Sequence, residues 1–246
     1  MSTQANLQRA LVLPQEVIKQ QVEIAANMVR PRGALPWNRT SDFMLGTVAV
    51  AIILPQCVNG AACRETWTQA EINEVRAEVQ SGLDWWTQKA AISGANVQFQ
   101  LVPGQPQVVN LTNIEPIRIP GGNSAALCGD EGRWIHAVMM ALGYNAYPPT
   151  GNQYLNEVRS YDNYLRDTFH TDWAIVVFVA DANADAQNDP DDGPNGRGLF
   201  RFTTCGGVPF GVAAYGWITG PHMVMNNVND GFQSILMDGI AAMEIG

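Results

Sequence analysis

The stretch Val48 to Leu54 is apolar, rich in β-branched residues, and shows no polar alternation. A strand with one wet face alternates polar and apolar side chains. A strand without that alternation must be covered on both faces. This run therefore predicts a buried strand inside a layered domain and argues against an all-helical chain. It is also far shorter than the roughly 20 residues that a membrane-spanning helix needs, so no membrane span is predicted.

Beyond this run the chain alternates between helical and extended patterns. After a loop over 55–66 comes the clearest helix. Thr68 and Glu71 stand three apart, as in a capping box, where each side chain meets the other residue's backbone N–H. Ile72, Val75, Val79, Leu83, Trp86 and Ala90 then recur at spacings of three and four, which places them on one helix face. Val97 to Val102 alternates as a half-buried strand does. Residues 103–132 are rich in Gly, Pro and Asn and read as a long loop. Helices are predicted for Trp134 to Gly143 and for the stretch bearing Tyr154, Val158, Tyr161 and Leu165. Ala174 to Ala180 is a second continuous apolar strand. Val212 to Ile218 and His222 to Asn226 read as two further strands, and Leu236, Ile240 and Met243 mark a closing helix. Alternation of strands and helices predicts an α/β domain over residues 43–246, preceded by an extension over residues 1–42.

The chain has 246 residues and a net charge of −9, with a pI of about 4.7. No Lys/Arg cluster is present, so nucleic-acid partners are not expected. Four cysteines, Cys57, Cys63, Cys128 and Cys205, include no CxxC pair. Cys57 and Cys63 bracket a short loop and could bridge, which would leave Cys128 and Cys205 as a second pair. The even count fits an oxidising compartment; four idle thiols are the alternative. Met1 to Ala10 is polar, so no signal peptide is expected within this chain.

Oxygen donors concentrate after the second apolar strand, at Asp181, Asn183, Asp185, Asp189, Asp191 and Asp192. Calcium takes six to eight such ligands, so a calcium site is one reading and a solvated acidic loop the other. The loop lacks the glycine and the twelfth-position glutamate of an EF-hand. The three histidines, His136, His170 and His222, show no ligand spacing and read as structural or surface groups.

The chain closes with Asp238-Gly239-Ile240-Ala241-Ala242-Met243-Glu244-Ile245-Gly246. In the His-Glu-x-x-His helix of zinc peptidases, two histidines four apart share a metal, and the glutamate activates the bound water. The segment resembles that helix, with Met243 at the first histidine and Glu244 at the base. Ordered landmarks extend the resemblance to secreted, metzincin-like bacterial peptidases. They are Gly46-Thr47-Val48-Ala49-Val50, Glu65-Thr66-Trp67-Thr68, Trp85-Trp86, Glu115-Pro116-Ile117, and Trp134-Ile135 through Leu142-Gly143-Tyr144. Tyr161 to Arg166 and Thr171-Asp172-Trp173-Ala174 complete the series. The resemblance implies a mixed twisted sheet with a long backing helix, that is, a zincin-like N-terminal subdomain. It also implies a peptide or protein substrate, an extracellular or cell-surface location, and a substrate cleft bordered by His222 to Asn226. Zinc is expected for such a family but not for this chain. A thioether replaces the first imidazole, the later ligands are absent, and Glu244 is left as a vestigial base. The alternative is a non-catalytic secreted module, calcium-stabilised and self-associating.

Overall fold

The computed structural model describes residues 39–41, 44–60, 63, 66–114, 116, 127–146, 152–181, 200–203, 209–212, 214–216 and 220–227. The apolar run becomes strand β1, Gly46–Val58. It is followed by helix α1, Gln69–Ile92, and strands β2, Val97–Leu101, and β3, Gln107–Thr112. Helices α2, Leu127–Ala141, and α3, Gln153–Phe169, come next, then β4, Trp173–Asp181. The short strands β5, Phe200–Thr203, β6, Pro209–Val212, and β7, Ala214–Gly216, precede β8, His222–Asn227.

A six-stranded sheet runs β2-β1-β4-β8-β7, with β3 also on β1. Strands β2, β3 and β4 pair parallel with β1, and β8 pairs parallel with β4. Strand β7 alone is antiparallel, paired with β8. Strands β5 and β6 form a separate antiparallel pair. The architecture is mixed α/β, as expected.

Both faces of the sheet are covered, which accounts for the missing alternation in β1. Val48, Val50, Ile52 and Leu54 pack with Val75, Val79 and Leu83 of α1. Ala49, Ala51 and Ile53 point the other way, against Trp134 and Val138 of α2 and Val158 and Leu165 of α3. The alanines on this side leave room for larger groups, and Trp134 meets Phe178 edge-on at 5.4 Å. The capping box of α1 is formed: the Thr68 N–H donates to Glu71 Oε2 at 2.8 Å, and the Glu71 N–H donates to Thr68 Oγ1 at 3.3 Å.

One edge of β1 is shared by two strands in succession. Strand β2 pairs with residues 46–50 and β3 with residues 53–58. Between them the buried Ile52 N–H would face no strand. The side chain of Gln105, itself buried in the connecting turn, fills the gap: its Oε1 accepts from Ile52 N at 3.1 Å. At the opposite end, Asp172 Oδ2 accepts from the Thr47 N–H at 2.8 Å and the Thr47 hydroxyl at 2.9 Å. Gly46 is required there: its φ is +80°, and a Cβ would lie 2.4 Å from Asp172 Oδ2.

Three expectations need correction. Residues 103–132 hold a strand, β3, and the first turns of α2. The Pro and Gly residues around 103–106 mask the alternation in which Val109 and Leu111 are buried and Asn110 is exposed. Val212 to Ile218 is not one strand; it divides between β6, paired with β5, and β7, paired with β8. Finally, His222 to Asn226 is not the edge of the sheet, because β7 lies outside it.

Replacing Gln105 with leucine keeps the size but leaves the Ile52 N–H buried and unbonded. The expected loss is about 1–3 kcal/mol, measurable as a lower urea midpoint at unchanged slope. A midpoint equal to the parent's would show that the gap is closed by something other than Gln105.

Candidate functional site

In sheets of parallel strands, ligands gather beyond the carboxyl ends of the strands. Here Asp181 closes β4 and Asn227 closes β8, and the two are register neighbours. Both are buried. By the two-residue period of a strand they share the α1 side of the sheet with Val179 and Met225. Among the described residues the Asn227 Nδ2 has no hydrogen-bond partner. Beside β8 lies β7, the outermost strand among the described residues, with one row of its N–H and C=O groups turned away from β8.

A second polar arrangement ties α2 to α3. The Glu157 side chain is 0 % exposed, and its two oxygens lie 2.8 and 2.9 Å from Nδ1 of His136, which is 42 % exposed. A carboxylate on one ring nitrogen fixes the imidazole's orientation and directs the other nitrogen outward. Nearby, Tyr154 rests against Gly132, where a Cβ would come within 3.2 Å of the ring, and its own ring lies 6.2 Å from that of His222. Sequence spacing holds no signal for the His136–Glu157 pair, because the partners sit on different helices.

A third arrangement lies at the amino ends of the strands. Thr40 and Ser41 are 2 % and 5 % exposed, although sequence reading places them in the extension. The Thr40 carbonyl accepts from the Ala174 N–H at 2.9 Å, and the Ser41 hydroxyl donates to the Gly220 carbonyl. Under them Asp162 is 0 % exposed, and among the described residues neither of its oxygens meets a donor at hydrogen-bonding geometry. Burial pushes its carboxyl well above the usual range, while the Thr40 hydroxyl, Arg166 and Arg159 pull it back.

The residues proposed from sequence that are described do not come together at one site. Cys57 and Cys63 form a disulfide that closes the loop after β1. Gly60 in that loop approaches Asn113 so closely that a Cβ would lie 2.5 Å from its Oδ1. Cys128 falls in the first turn of α2, and Cys205 lies outside the described residues. Of the possible calcium ligands, Asp181 ends β4; Asn183, Asp185, Asp189, Asp191 and Asp192 lie outside the described residues, as does Glu244. The three histidines do not converge. His136 holds Glu157, His170 caps α3 with φ 54°, and His222 is buried beside Phe178. Asp172 is engaged by Thr47 at the amino end of β1.

Among the described residues, no three His, Cys, Asp or Glu side chains are grouped to hold a metal ion. Met243 and Glu244, on which the expectation of a vestigial zinc helix rests, lie outside the described residues. A thioether is in any case a poor ligand for zinc beside imidazole.

Truncating His136 to alanine strands a buried carboxylate. The expected cost is about 3–5 kcal/mol, with most of it recovered in His136→Gln, which retains a donor. Chemical denaturation of both variants checks this, and a loss below about 1 kcal/mol in the alanine variant would show that Glu157 has other support.

No protein-family model, no curated protein and no solved structure matches the chain.

Proposed function

We propose that this chain is a secreted, zincin-related domain that takes an extended polypeptide along β7, the outermost strand among the described residues, and does not cleave it. The observation that carries the reading is the sheet order. A parallel sheet backed by α1 ends in one antiparallel strand, and β8 next to it delivers the chain toward the segment holding Met243 and Glu244. An edge strand recognises unfolded chain through main-chain hydrogen bonds, largely regardless of side-chain identity. The order of strands and helices supports the reading only in that the segment holding Met243 and Glu244 follows β8 in the chain. The Cys57–Cys63 disulfide favours an oxidising, extracellular setting. The acidic stretch from Asp181 to Asp192 would serve calcium-dependent ordering of the loop after β4.

Binding is tested by fluorescence anisotropy with a labelled, alkylated polypeptide that cannot fold. Proline is placed at Ala214 and, separately, at Tyr215. Successive N–H groups in a strand point to opposite sides. One variant should therefore weaken binding about tenfold or more with little change in melting temperature. The other should lose stability through the β8 ladder. Equal binding by the parent and both variants would rule out the β7 edge, and parent protein found as a dimer that binds no peptide would assign the edge to a second copy.

Metal content discriminates the catalytic alternative. Intact-protein mass spectrometry under native conditions, with and without chelator, is expected to show no zinc. Stoichiometric zinc would overturn the non-catalytic reading.

A further inference from the structure

Strand β8 is too short to pair with the whole of β4. Its first contact is the Pro221 carbonyl with the Val176 N–H, at 3.2 Å. Two residues earlier, the Ala174 N–H points into the same lane, where β8 has not yet begun. Thr40 supplies the missing carbonyl, and the Ser41 hydroxyl caps Gly220 at the mouth of β8. Residues 39–41 are thus a strap laid in line with β8, and they roof the buried Asp162.

We propose that this strap is a pH-sensitive latch, shut while the Asp162 carboxyl is neutral and opened when it ionises, so that residues 39–41 lift from β4. A neutral carboxyl tolerates a site without hydrogen-bond partners far better than a carboxylate does. Of the charged neighbours, the Arg166 guanidinium already donates to the Asp172 carbonyl and to Asn163 Oδ1, at 3.1 and 3.0 Å. That of Arg159 donates to Asn156 Oδ1 at 3.3 Å. Tyr161, on the same helix, is itself pushed up, first by burial and then by Tyr144, and supplies no positive charge. Thr40 is the group facing Asp162 from the strap, and the sheet under α3 offers Ala49, Ala51, Ala174 and Val176, none charged. An ionised Asp162, attracted by Arg166 and Arg159 but without a hydrogen bond to its oxygens among the described residues, is stabilised by admitting water. The strap lies against Asp162 through Thr40, and the Thr40 carbonyl holds Ala174 while the Ser41 hydroxyl holds Gly220.

The direction is set by linkage. The folded chain holds the Asp162 proton more tightly than an unfolded chain does, as burial raises this carboxyl. The strap's stability is complete in acid, below the ordinary aspartate range. It is lost as pH rises toward the raised folded value. The latch does not depend on the peptide-binding reading.

Amide hydrogen exchange reads the latch directly, with Ala174 as reporter and Val176 as internal reference. Protection at Ala174, corrected for intrinsic rates, should fall by roughly tenfold per pH unit once Asp162 begins to ionise, while Val176 stays protected. In Asp162→Asn, a neutral near-isostere, Ala174 should remain protected throughout. Parallel behaviour of the two amides in the parent protein would overturn the proposal. So would an unchanged Ala174 profile in the asparagine variant. Should that variant not fold, the comparison of the two amides in the parent decides by itself.

Discussion

Everything in this fold answers to the dryness of β1. From Val48 to Leu54 every side chain is buried, so no backbone N–H or C=O along this stretch has water to turn to. Strand β4 serves one side. The other side is served by two strands in turn, and their junction falls opposite Ile52. A glutamine side chain standing in for a strand is a direct consequence: two short strands on one long one leave a joint, and a buried joint must be closed. Asp172 does comparable work at the start of β1, and Thr40 at the start of β4. In each case a polar group from a loop completes a ladder that regular structure leaves unfinished.

Much of this is legible in the sequence. The unbroken apolar run announces a strand covered on both faces, and α1 and α2/α3 are those covers. Thr68 and Glu71 mark the start of α1, and Val75, Val79 and Leu83 its buried face. These signals are local, carried by spacing along one element. Strand β3 escapes sequence reading because Pro103, Gly104 and Pro106 lie just before a run of only six residues, and punctuation outweighs alternation. The division between β6 and β7 escapes it because apolar content says that a segment is extended, not which sheet it joins. The order β8 then β7 is a matter of topology, to which no periodicity refers.

The site is less legible, for a related reason. His136 and Glu157 are 21 positions apart, and neither residue type announces that one will be wholly buried against the other. Thr40 and Ser41 read as the tail of an extension, since two small hydroxyl residues after a proline-containing stretch carry no apolar signal. Their burial comes from hydrogen bonds to distant backbone. The residues on which the metal expectations rest, from Asn183 to Asp192 and at Glu244, lie outside the described residues, and those expectations still stand on the sequence alone.

The parallel pairing of β1 also bears on how the chain reaches this state. Thr47 and its partner Asp172 are 125 positions apart, and each neighbour of β1 arrives only after an intervening crossover. During synthesis the most apolar segment of the protein would emerge early and wait for the strand that shields its second edge. Chains dominated by such distant pairings fold slowly and expose sticky intermediates. Helix α1, formed from local contacts and held by its own cap, is the element available soonest to cover one face of that waiting strand.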